Sequence, residues 1–389
     1  MTRLARSSTV LPALALVLGV TTACSGDGGT PAPIPQVTQP TDQPSEPTPS
    51  ESPSDSGSTG EDQGGGAEGP RAVGTLVDLL EVPWGVDFLP DGDAVVTERE
   101  TGRVLEVTPD GTLSRLGAIT AAVPQGEAGL LGVAVSPDFD TDSTLFFYVT
   151  TGSDNRVMSA VLEDGELGEP TVVLDGIPAG LIHDGGRIAF GPDGFLYVTT
   201  GETGDPGLAQ DPDSLAGKIL RITTDGRPAP GNPDPGSPVW SLGHRNVQGL
   251  AWDDQGRLWA SEFGDSTWDE LNLVEKGGNY GWPEVEGTGG GPDFIDPQLV
   301  WPVEQASPSG LAYADGHLWM AGLRGQRLWR IRVSDSGKAS RPMAFFTEDY
   351  GRLRTVVASP DDQLWLTTSN RDGRGQPTEA DDRIIVIQP

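Results

Sequence analysis

The sequence predicts an all-β fold, a six-bladed β-propeller, on two observations. A hairpin pattern recurs six times in the 389 residues: an apolar strand, a turn rich in Pro, Asp and Gly, and a second apolar strand. Successive copies begin 45 to 62 residues apart, which is the length of a four-stranded propeller blade with loops of variable size. A β-sandwich or two smaller β domains is the alternative, but six copies of one motif favour a closed ring. The copies begin at Val86, Val133, Ile188, Leu250, Leu311 and Val356.

The segment 1–24 precedes the repeats and is typical of an export signal. Arg3 and Arg6 come before a short apolar run at 10–20, which is too short to span a membrane. The stretch TTAC ends at Cys24, the only cysteine, and is similar to a bacterial lipoprotein box, although Thr21 stands where an aliphatic residue is usual. We therefore expect an exported protein with a lipid anchor at Cys24, on the extracellular face of the cell membrane. An ordinary cleaved signal with an incidental cysteine is the alternative.

The segment 25–70 has the composition of a disordered linker. It is rich in Pro, Ser, Thr, Gly, Asp and Glu, and it contains no Lys, Arg or aromatic residue. This leaves 71–389 for a single propeller domain. Ring closure is predicted to pair the last strand, 383–388, with a strand near 74–80.

Charge excludes one class of partner. The chain has 57 acidic residues against 25 Lys and Arg, a formal net charge of −32. A nucleic-acid-binding protein needs a basic face, so we expect no nucleic-acid partner. With one cysteine, no intrachain disulfide can form.

Two groups of residues stand out as candidates for chemistry. His183 lies before a Gly-Gly pair and the third repeat, where propeller loops face the central funnel, and imidazole is a good general base near neutral pH. Glu202, at the far end of the same hairpin, could orient it. Arginine is scarce, yet Arg324, Arg352 and Arg354 lie beside the fifth and sixth repeats. Converging on one funnel with Arg245, they would bind a polyanion; pairing with surface carboxylates is the alternative.

The stretch 241–283 combines an anion site with a cation site. Arg245, Asn246 and Gln248 offer donors for carboxylates and carbonyls at a strand entrance. The loop after that strand contains Glu262, Gly264, Asp265, Asp269 and Glu270, and acidic side chains with free carbonyls suit Ca²⁺. A surface loop with charge pairs is the alternative.

Together these motifs resemble the glucose/sorbosone dehydrogenases, soluble-type aldose dehydrogenases that use pyrroloquinoline quinone (PQQ). The resemblance covers roughly 82–368 and rests on VPWGVDFLPDG, EAGLLGVAVSPDF, HDGGRIAFGPDG, GHRNVQGLAWD, DELNLVEKGGNYGWP and GRLRTV. It implies a six-bladed propeller with PQQ over its centre. It further implies that an aldose is oxidised to a lactone and that the electrons pass to an external acceptor.

The resemblance also implies a role for individual residues. His183 would be the general base that takes the proton of the sugar C1 hydroxyl while hydride passes to the quinone, and Glu202 would support it. Ca²⁺ and Arg245 would polarise the quinone. The cofactor-binding residues implied are Arg245, Asn246, Gln248, Arg324, Arg352, Arg354 and Glu127. One Ca²⁺ would take carbonyls at Gly264 and Asp265, and a second, structural Ca²⁺ would lie at Glu270 and the Tyr280 carbonyl.

Two other functions remain open at this point. One is a carbohydrate-binding or scaffold propeller without a cofactor. The other is a calcium-dependent propeller lactonase, which needs a central cage of carboxylates and amides around its metal.

Overall fold

The computed structural model describes residues 69–389. They form six antiparallel sheets, five of four strands and one of five. The predicted six-bladed propeller is therefore confirmed. The predicted signal segment (1–24), with its anchor Cys24, and almost all of the predicted linker (25–70) lie outside the described residues.

The first strand of the chain, β1 (Arg71–Val77), belongs to the last blade. Blade one contains β2 (Pro83–Phe88), β3 (Ala94–Glu98), β4 (Arg103–Val107) and β5 (Leu113–Ala118). Blade two contains β6 (Leu130–Val135), β7 (Thr144–Thr150), β8 (Asn155–Glu163) and β10 (Thr171–Ile177). Its fifth strand, the short β9 (Glu166–Leu167), pairs with β8. A short helix, α1 (Phe139–Asp142), lies between β6 and β7. Blade three contains β11 (Ile188–Phe190), β12 (Leu196–Thr199), β13 (Lys218–Ile222) and β14 (Val239–Leu242).

Blade four contains β15 (Val247–Trp252), β16 (Leu258–Glu262), β17 (Trp268–Val274) and β18 (Leu299–Pro302). Blade five contains β19 (Pro308–Ala314), β20 (His317–Gly322), β21 (Arg327–Val333) and β22 (Ala339–Phe345). Blade six contains β23 (Leu353–Ala358), β24 (Leu364–Thr368), β25 (Ile384–Gln388) and β1. Two short 3₁₀ helices lie at Pro206–Ala209 and Gly291–Asp293.

Each predicted hairpin forms the two innermost strands of one blade, because β2–β3, β6–β7, β11–β12, β15–β16, β19–β20 and β23–β24 are the pairs that hold the six copies. The predicted closure is also found: β1 pairs antiparallel with β25, from Arg71 opposite Gln388 to Val77 opposite Ile384. The last blade thus combines strands from both ends of the described chain.

The innermost strands approach one another so closely that glycine recurs at one position of the repeat. Gly85, Gly132, Gly249 and Gly310 directly precede the first apolar residue of copies one, two, four and five. An added β-carbon at Gly310 would lie 2.7 Å from the Thr355 α-carbon and 2.7 Å from the Val356 nitrogen, both backbone atoms of blade six. A side chain at this position would force neighbouring blades apart.

Large aromatic side chains fill the spaces between blades. Trp365 of blade six packs edge-on against Phe88 of blade one, with ring centroids 5.0 Å apart. Trp252 of blade four contacts Tyr197 of blade three in the same manner at 5.2 Å. These tryptophans pack between blades.

No helix within residues 69–389 has the length and apolar character required to cross a bilayer.

We predict that Gly310→Ala lowers the free energy of unfolding by about 2 kcal/mol, because overpacking a tight interface typically costs about 1–3 kcal/mol. The measurement is urea unfolding followed by tryptophan fluorescence. Gly74→Ala is the matched control, since an added β-carbon there meets no atom within 4 Å. Equal stabilities of the two variants would show that the axial packing is looser than described.

Candidate active site

A cavity of about 200 Å³ lies on the propeller axis. Every blade contributes to its wall through residues that flank the inner strands, so the walls converge on the centre of the ring. The residues that line it are Arg99, Glu127, His183, Asn246, Gln248, Phe263, Ser307, Leu323, Arg324, Arg352, Arg354 and Arg374. Of the predicted site residues, the structure thus brings Glu127, His183, Asn246, Gln248, Arg324, Arg352 and Arg354 together in one place.

The cavity wall is cationic in an otherwise acidic protein. It contains five arginines and one glutamate, whereas the whole chain has a formal net charge of −32. Guanidinium groups present fixed forks of donors that match carboxylates and phosphates. The cavity therefore has the chemistry to bind an anion with several negative groups.

His183 is held in an unusual backbone conformation at the cavity wall. Its φ is 58°, in the left-handed region that few non-glycine residues adopt. Its backbone N–H donates to Glu127 Oε2 at 3.0 Å. Gly201 passes so close beneath that an added β-carbon would lie 1.8 Å from the His183 carbonyl oxygen. The loop is thus fixed from two sides, and the imidazole is fixed with it.

The predicted partner of His183 is in place. His183 Nδ1 and Glu202 Oε1 are hydrogen-bonded, and Glu202 is buried. The other oxygen, Glu202 Oε2, is buried and has no hydrogen-bond partner within residues 69–389. A carboxylate on Nδ1 orients the ring and leaves Nε2 as the nitrogen that can exchange a proton in the cavity.

Arg352 and Arg354 share one carboxylate that the sequence analysis did not single out. Asp372 Oδ2 accepts from Arg352 Nε at 3.0 Å and from Arg352 Nη2 at 2.9 Å, and it lies 3.5 Å from Arg354 Nη2. Burial alone would raise the pKa of Asp372, but the charges of Arg354 and Arg352 outweigh it and hold this pKa below its usual range. The Asp372 carboxylate carries one negative charge and the two guanidinium groups carry two positive charges, so Arg352 and Arg354 together remain cationic towards the cavity.

Asn246 and Gln248 connect the cavity floor to its neighbours. Asn246 Oδ1 accepts the N–H of Gly185, two residues after His183, at 3.0 Å. Gln248 Oε1 accepts from Ser309 Oγ at 2.9 Å and from Arg354 Nη1 at 3.2 Å. Both amides thereby have fixed orientations, as predicted for residues that present donors to a ligand.

Arg187, the arginine of the HDGGR motif, lies beneath the cavity and was not singled out by the sequence analysis. From blade three its Nε donates to the Gln248 carbonyl at 2.9 Å and its Nη2 to Thr355 Oγ1 at 3.0 Å. Its guanidinium carbon lies 4.3 Å from the Trp84 ring centroid of blade one. Burial, and then repulsion by Arg354, lower its pKa to about 9, so it stays protonated at neutral pH. It supports the cavity floor from below.

Arg99 and Arg374 also line the cavity and were not predicted. Arg99 is buried and pairs with Glu100, whereas Arg374 is largely exposed and donates to Glu127 Oε1 at 2.6 Å. Each is a single arginine outside any motif, so no sequence signal marked it. The predicted Arg324 is exposed at the wall and has no carboxylate within ion-pair distance in the described part of the chain.

Arg245 differs from its prediction. Its guanidinium does not line the cavity; it donates to the Gly264 carbonyl, pairs with Asp265 Oδ1 at 3.0 Å and lies over the Trp282 ring. The reason is local, because the carbonyl and carboxylate of this loop lie within reach of its fork. Only its backbone contacts the His183–Glu202 pair, since the Arg245 carbonyl accepts the Glu202 N–H at 2.8 Å.

The predicted calcium residues fall into two places. Gly264 and Asp265 form the loop beside Arg245, where the Gly264 carbonyl already accepts from that guanidinium. Glu270 is buried behind it, and burial together with the Glu262 charge raises its pKa well above the usual range. Tyr280 is buried nearby, with its ring stacked on His244 at 4.7 Å. In residues 69–389 no three His, Cys, Asp or Glu side chains cluster closely enough to hold a metal ion, so a calcium ion here would also need backbone or amide carbonyls as ligands.

The propeller therefore combines a cationic axial cavity with a half-buried histidine that is hydrogen-bonded to a buried carboxylate. Comparison with known proteins agrees. A match to the Glucose / Sorbosone dehydrogenase family spans residues 80–378, and the chain belongs to this family. The predicted family is thereby confirmed.

Individual relatives support the same assignment. The chain is 53% identical to the PQQ-bound aldose sugar dehydrogenase of Streptomyces coelicolor, with a TM-score of 0.81 over 82% of this chain and 98% of that one. It is 30% identical to an aldose sugar dehydrogenase of Escherichia coli over 77% of this chain and 91% of the relative. It is 33% identical to quinoprotein glucose dehydrogenase B of Acinetobacter calcoaceticus over 54% of this chain and 52% of the relative.

We predict that Asp372→Asn lowers the free energy of unfolding by about 3 kcal/mol at neutral pH, because removing one partner of a buried ion pair leaves uncompensated charge. The stabilisation by Asp372 is present above the ordinary Asp pKa near 4 and is lost as the pH falls through its lowered folded-state pKa. Urea unfolding at pH 7 and at pH 3 should therefore show a difference that shrinks in acid.

Asp225→Asn is the control for this variant. It removes the partner of Arg227 in an ion pair whose side chains are 77% and 55% exposed. Such surface pairs contribute little, so the urea midpoint of Asp225→Asn should match that of the parent. A wild-type-like Asp372→Asn would show that the two arginines do not depend on this carboxylate.

Proposed function

We propose that this protein is a PQQ-dependent aldose dehydrogenase that oxidises the C1 hydroxyl of an aldose to a lactone and passes the electrons to an external acceptor. The observation that carries the proposal is the juxtaposition of the cationic cavity and the His183–Glu202 pair on one axis. Such an oxidation requires a hydride acceptor and a proton acceptor, and the cavity that would hold an anionic quinone adjoins the histidine that would take the proton. The names of the relatives point to the same activity.

The cavity residues fit PQQ, a quinone that bears carboxylates. Arg324, Arg352 and Arg354 offer guanidinium donors to those carboxylates, and Asn246 and Gln248 offer amides to carbonyls. The orientation of Arg354 is fixed by Gln248 and Ser369, so little order is lost when a ligand binds. When bound, PQQ would supply the two-electron acceptor that no side chain provides.

His183 serves as the general base. Its Nδ1–H donates to Glu202, so the Nε2 lone pair is free to take the proton of the sugar C1 hydroxyl. The proton then resides on Nε2, and the Glu202 carboxylate stabilises the imidazolium that forms. Because both groups are fixed by their neighbours, the base needs no reorganisation before it accepts the proton.

The proposal also includes bound calcium, and it rests there on the contacts of three side chains in blade four. The buried Glu262 and Glu270 carboxylates both accept from Asn272 Nδ2, at 3.3 and 3.1 Å, while Asn272 Oδ1 is buried and has no partner in the described region. Two carboxylates and an orphaned amide oxygen fit a hard cation. The second proposed ion would use the carbonyls of Gly264 and Asp265, once Arg245 has turned from Gly264.

We extend the proposal to the location of the enzyme. The signal-like segment and the TTAC stretch support export and a lipid anchor at Cys24, with 25–70 as an acidic tether. Oxidation of an external sugar would then take place at the outer face of the membrane. A lactonase is disfavoured, because arginines rather than a carboxylate cage surround the axis.

We predict that the purified protein reduces an artificial dye with aldoses only after PQQ and Ca²⁺ are added, and that a chelator reverses this. His183→Asn should lower kcat by about 10²-fold or more, because the general base is lost, and yet still quench tryptophan fluorescence when PQQ is titrated. His317→Asn is the control, because His317 lies at the start of β20 and does not line the axial cavity. Absence of dye reduction over a broad aldose panel would refute the proposed activity.

For the anchor, we predict that Cys24→Ala moves the protein from the membrane fraction to the medium, because the only residue able to carry the acyl chains is gone. Fractionation of cells and immunoblotting measure the distribution. Thr21→Ala leaves the cysteine in place and should keep the protein on the membrane. A Cys24→Ala protein that remains membrane-bound would rule out this anchor.

A further inference from the structure

The outer part of blade five is basic, unlike the rest of the protein. Residues 317–345 contain five arginines and one lysine against a single aspartate. Arg324 lines the axial cavity, but the others lie on or beside the outer strands β21 and β22. In a chain with more than twice as many acidic as basic residues, such a segment is not expected from composition.

Three of these arginines gather at one surface cavity. A cavity of about 420 Å³ is lined by His317, Arg330, Arg332, Arg341 and Met343. No acidic side chain is among them. Across residues 69–389, ion pairs within 4 Å involve other arginines, such as Arg221 with Asp193 and Arg257 with Asp253, but none of these three. We name Arg330, Arg332, Arg341 and His317 the blade-five cationic site.

The strand geometry explains why these side chains meet. Arg330 and Arg332 are two residues apart on β21 and therefore point to the same face of the sheet. His317 of β20 is directly opposite Arg332. A register shift in the pairing of β21 with β22 places Arg341 at an irregular position, and its φ of 51° is left-handed. A bulge re-aims a side chain, and here it adds a third arginine to the face.

The Arg330 guanidinium is positioned before any ligand binds. The Arg330 guanidinium carbon lies 5.0 Å from the Phe345 ring centroid and 5.7 Å from that of Trp319. His317 Nδ1 bonds to the Asp315 carbonyl at 2.6 Å, which leaves Nε2 as the ring nitrogen available to a ligand. Aromatic contacts and a fixed ring restrict these donors before any ligand arrives, as a built site requires.

We propose that the blade-five cationic site binds a phosphate group. Arginine forks from three positions converge on one cavity, and a phosphate has enough oxygens and charge to accept from all three, whereas a single carboxylate has two oxygens. The phosphate can belong to a lipid headgroup or to a free anion.

The test uses the full chain with Cys24→Ala, so that an acyl chain cannot contribute to membrane binding. One arm titrates inorganic phosphate and pyrophosphate by calorimetry, with citrate at equal ionic strength as the carboxylate comparison. The other arm measures co-sedimentation with vesicles of phosphatidylglycerol and phosphatidylcholine, and with vesicles of phosphatidylcholine alone. Arg332→Gln/Arg341→Gln is the test variant, and Arg71→Gln/Arg115→Gln, with two exposed arginines of other blades, is the matched control.

We expect phosphate to bind more tightly than citrate, and the test variant to lose affinity by about ten-fold or more, since two charge-assisted contacts are removed. The control pair should bind as the parent does. The axial cavity is also cationic, so Arg352→Gln is included; binding at blade five should survive it. Sedimentation with phosphatidylglycerol vesicles that depends on Arg332 and Arg341 identifies the headgroup as the source. Phosphate binding without sedimentation identifies a free anion.

Three results would overturn the proposal. The first is no phosphate binding and no sedimentation. The second is binding that the test variant and the control pair reduce equally, because this would reflect overall charge. The third is a preference for citrate over phosphate.

Discussion

The structure depends on a buried arginine at the point where the blades meet. Arg187 leaves blade three and contacts the backbone of blade four, the hydroxyl of Thr355 in blade six and the Trp84 ring of blade one. At the same repeat position four other blades have glycine, so the ring closes around one guanidinium rather than around six side chains. A buried cation without a carboxylate is costly unless its donors are satisfied. Here a carbonyl, a hydroxyl and an aromatic face satisfy them, and the same contacts fix Gln248 at the cavity floor.

The six-bladed ring could be predicted from the sequence because each copy of the repeat forms the innermost strands of one blade. Its first apolar residues, Val86, Val133, Ile188, Leu250, Leu311 and Val356, all line one channel below Arg187. Each copy therefore marks the axial position of its blade, and the number of copies is the number of blades. The outer strands have no comparable signal. Their pairing contains register shifts, as between Arg330 and Arg332, and a shift of one residue reverses which side chains share a face.

Cavity residues could be identified from the sequence where a motif fixes the side chain. They could not be identified where a single residue outside any motif lines the cavity. His183 and Glu202 lie at the two ends of one hairpin, so the backbone brings them together, and Arg352 and Arg354 share a strand face. Asp372 and Arg374 lie in a loop that follows β24, far in sequence from Glu127 and Arg99. Their approach depends on the closed ring. The direction of the Arg245 side chain has another cause, because this long side chain follows its nearest acceptors, Gly264 and Asp265, which no motif specifies.

The net charge of the chain and the local charge of the axial cavity have opposite signs. An anionic ligand meets a chain of charge −32, yet salt screens that field beyond about 8–10 Å. Inside the axial cavity the distances are shorter than this, and Arg352 and Arg354 are buried, so their charges are screened less than surface charges are. The buried Arg187 adds a further positive charge beneath them. Affinity for a multivalent anion thus arises from local arginines against the sign of the whole molecule. Asp372 and Glu127 hold guanidinium groups of the cavity in place without cancelling their charge.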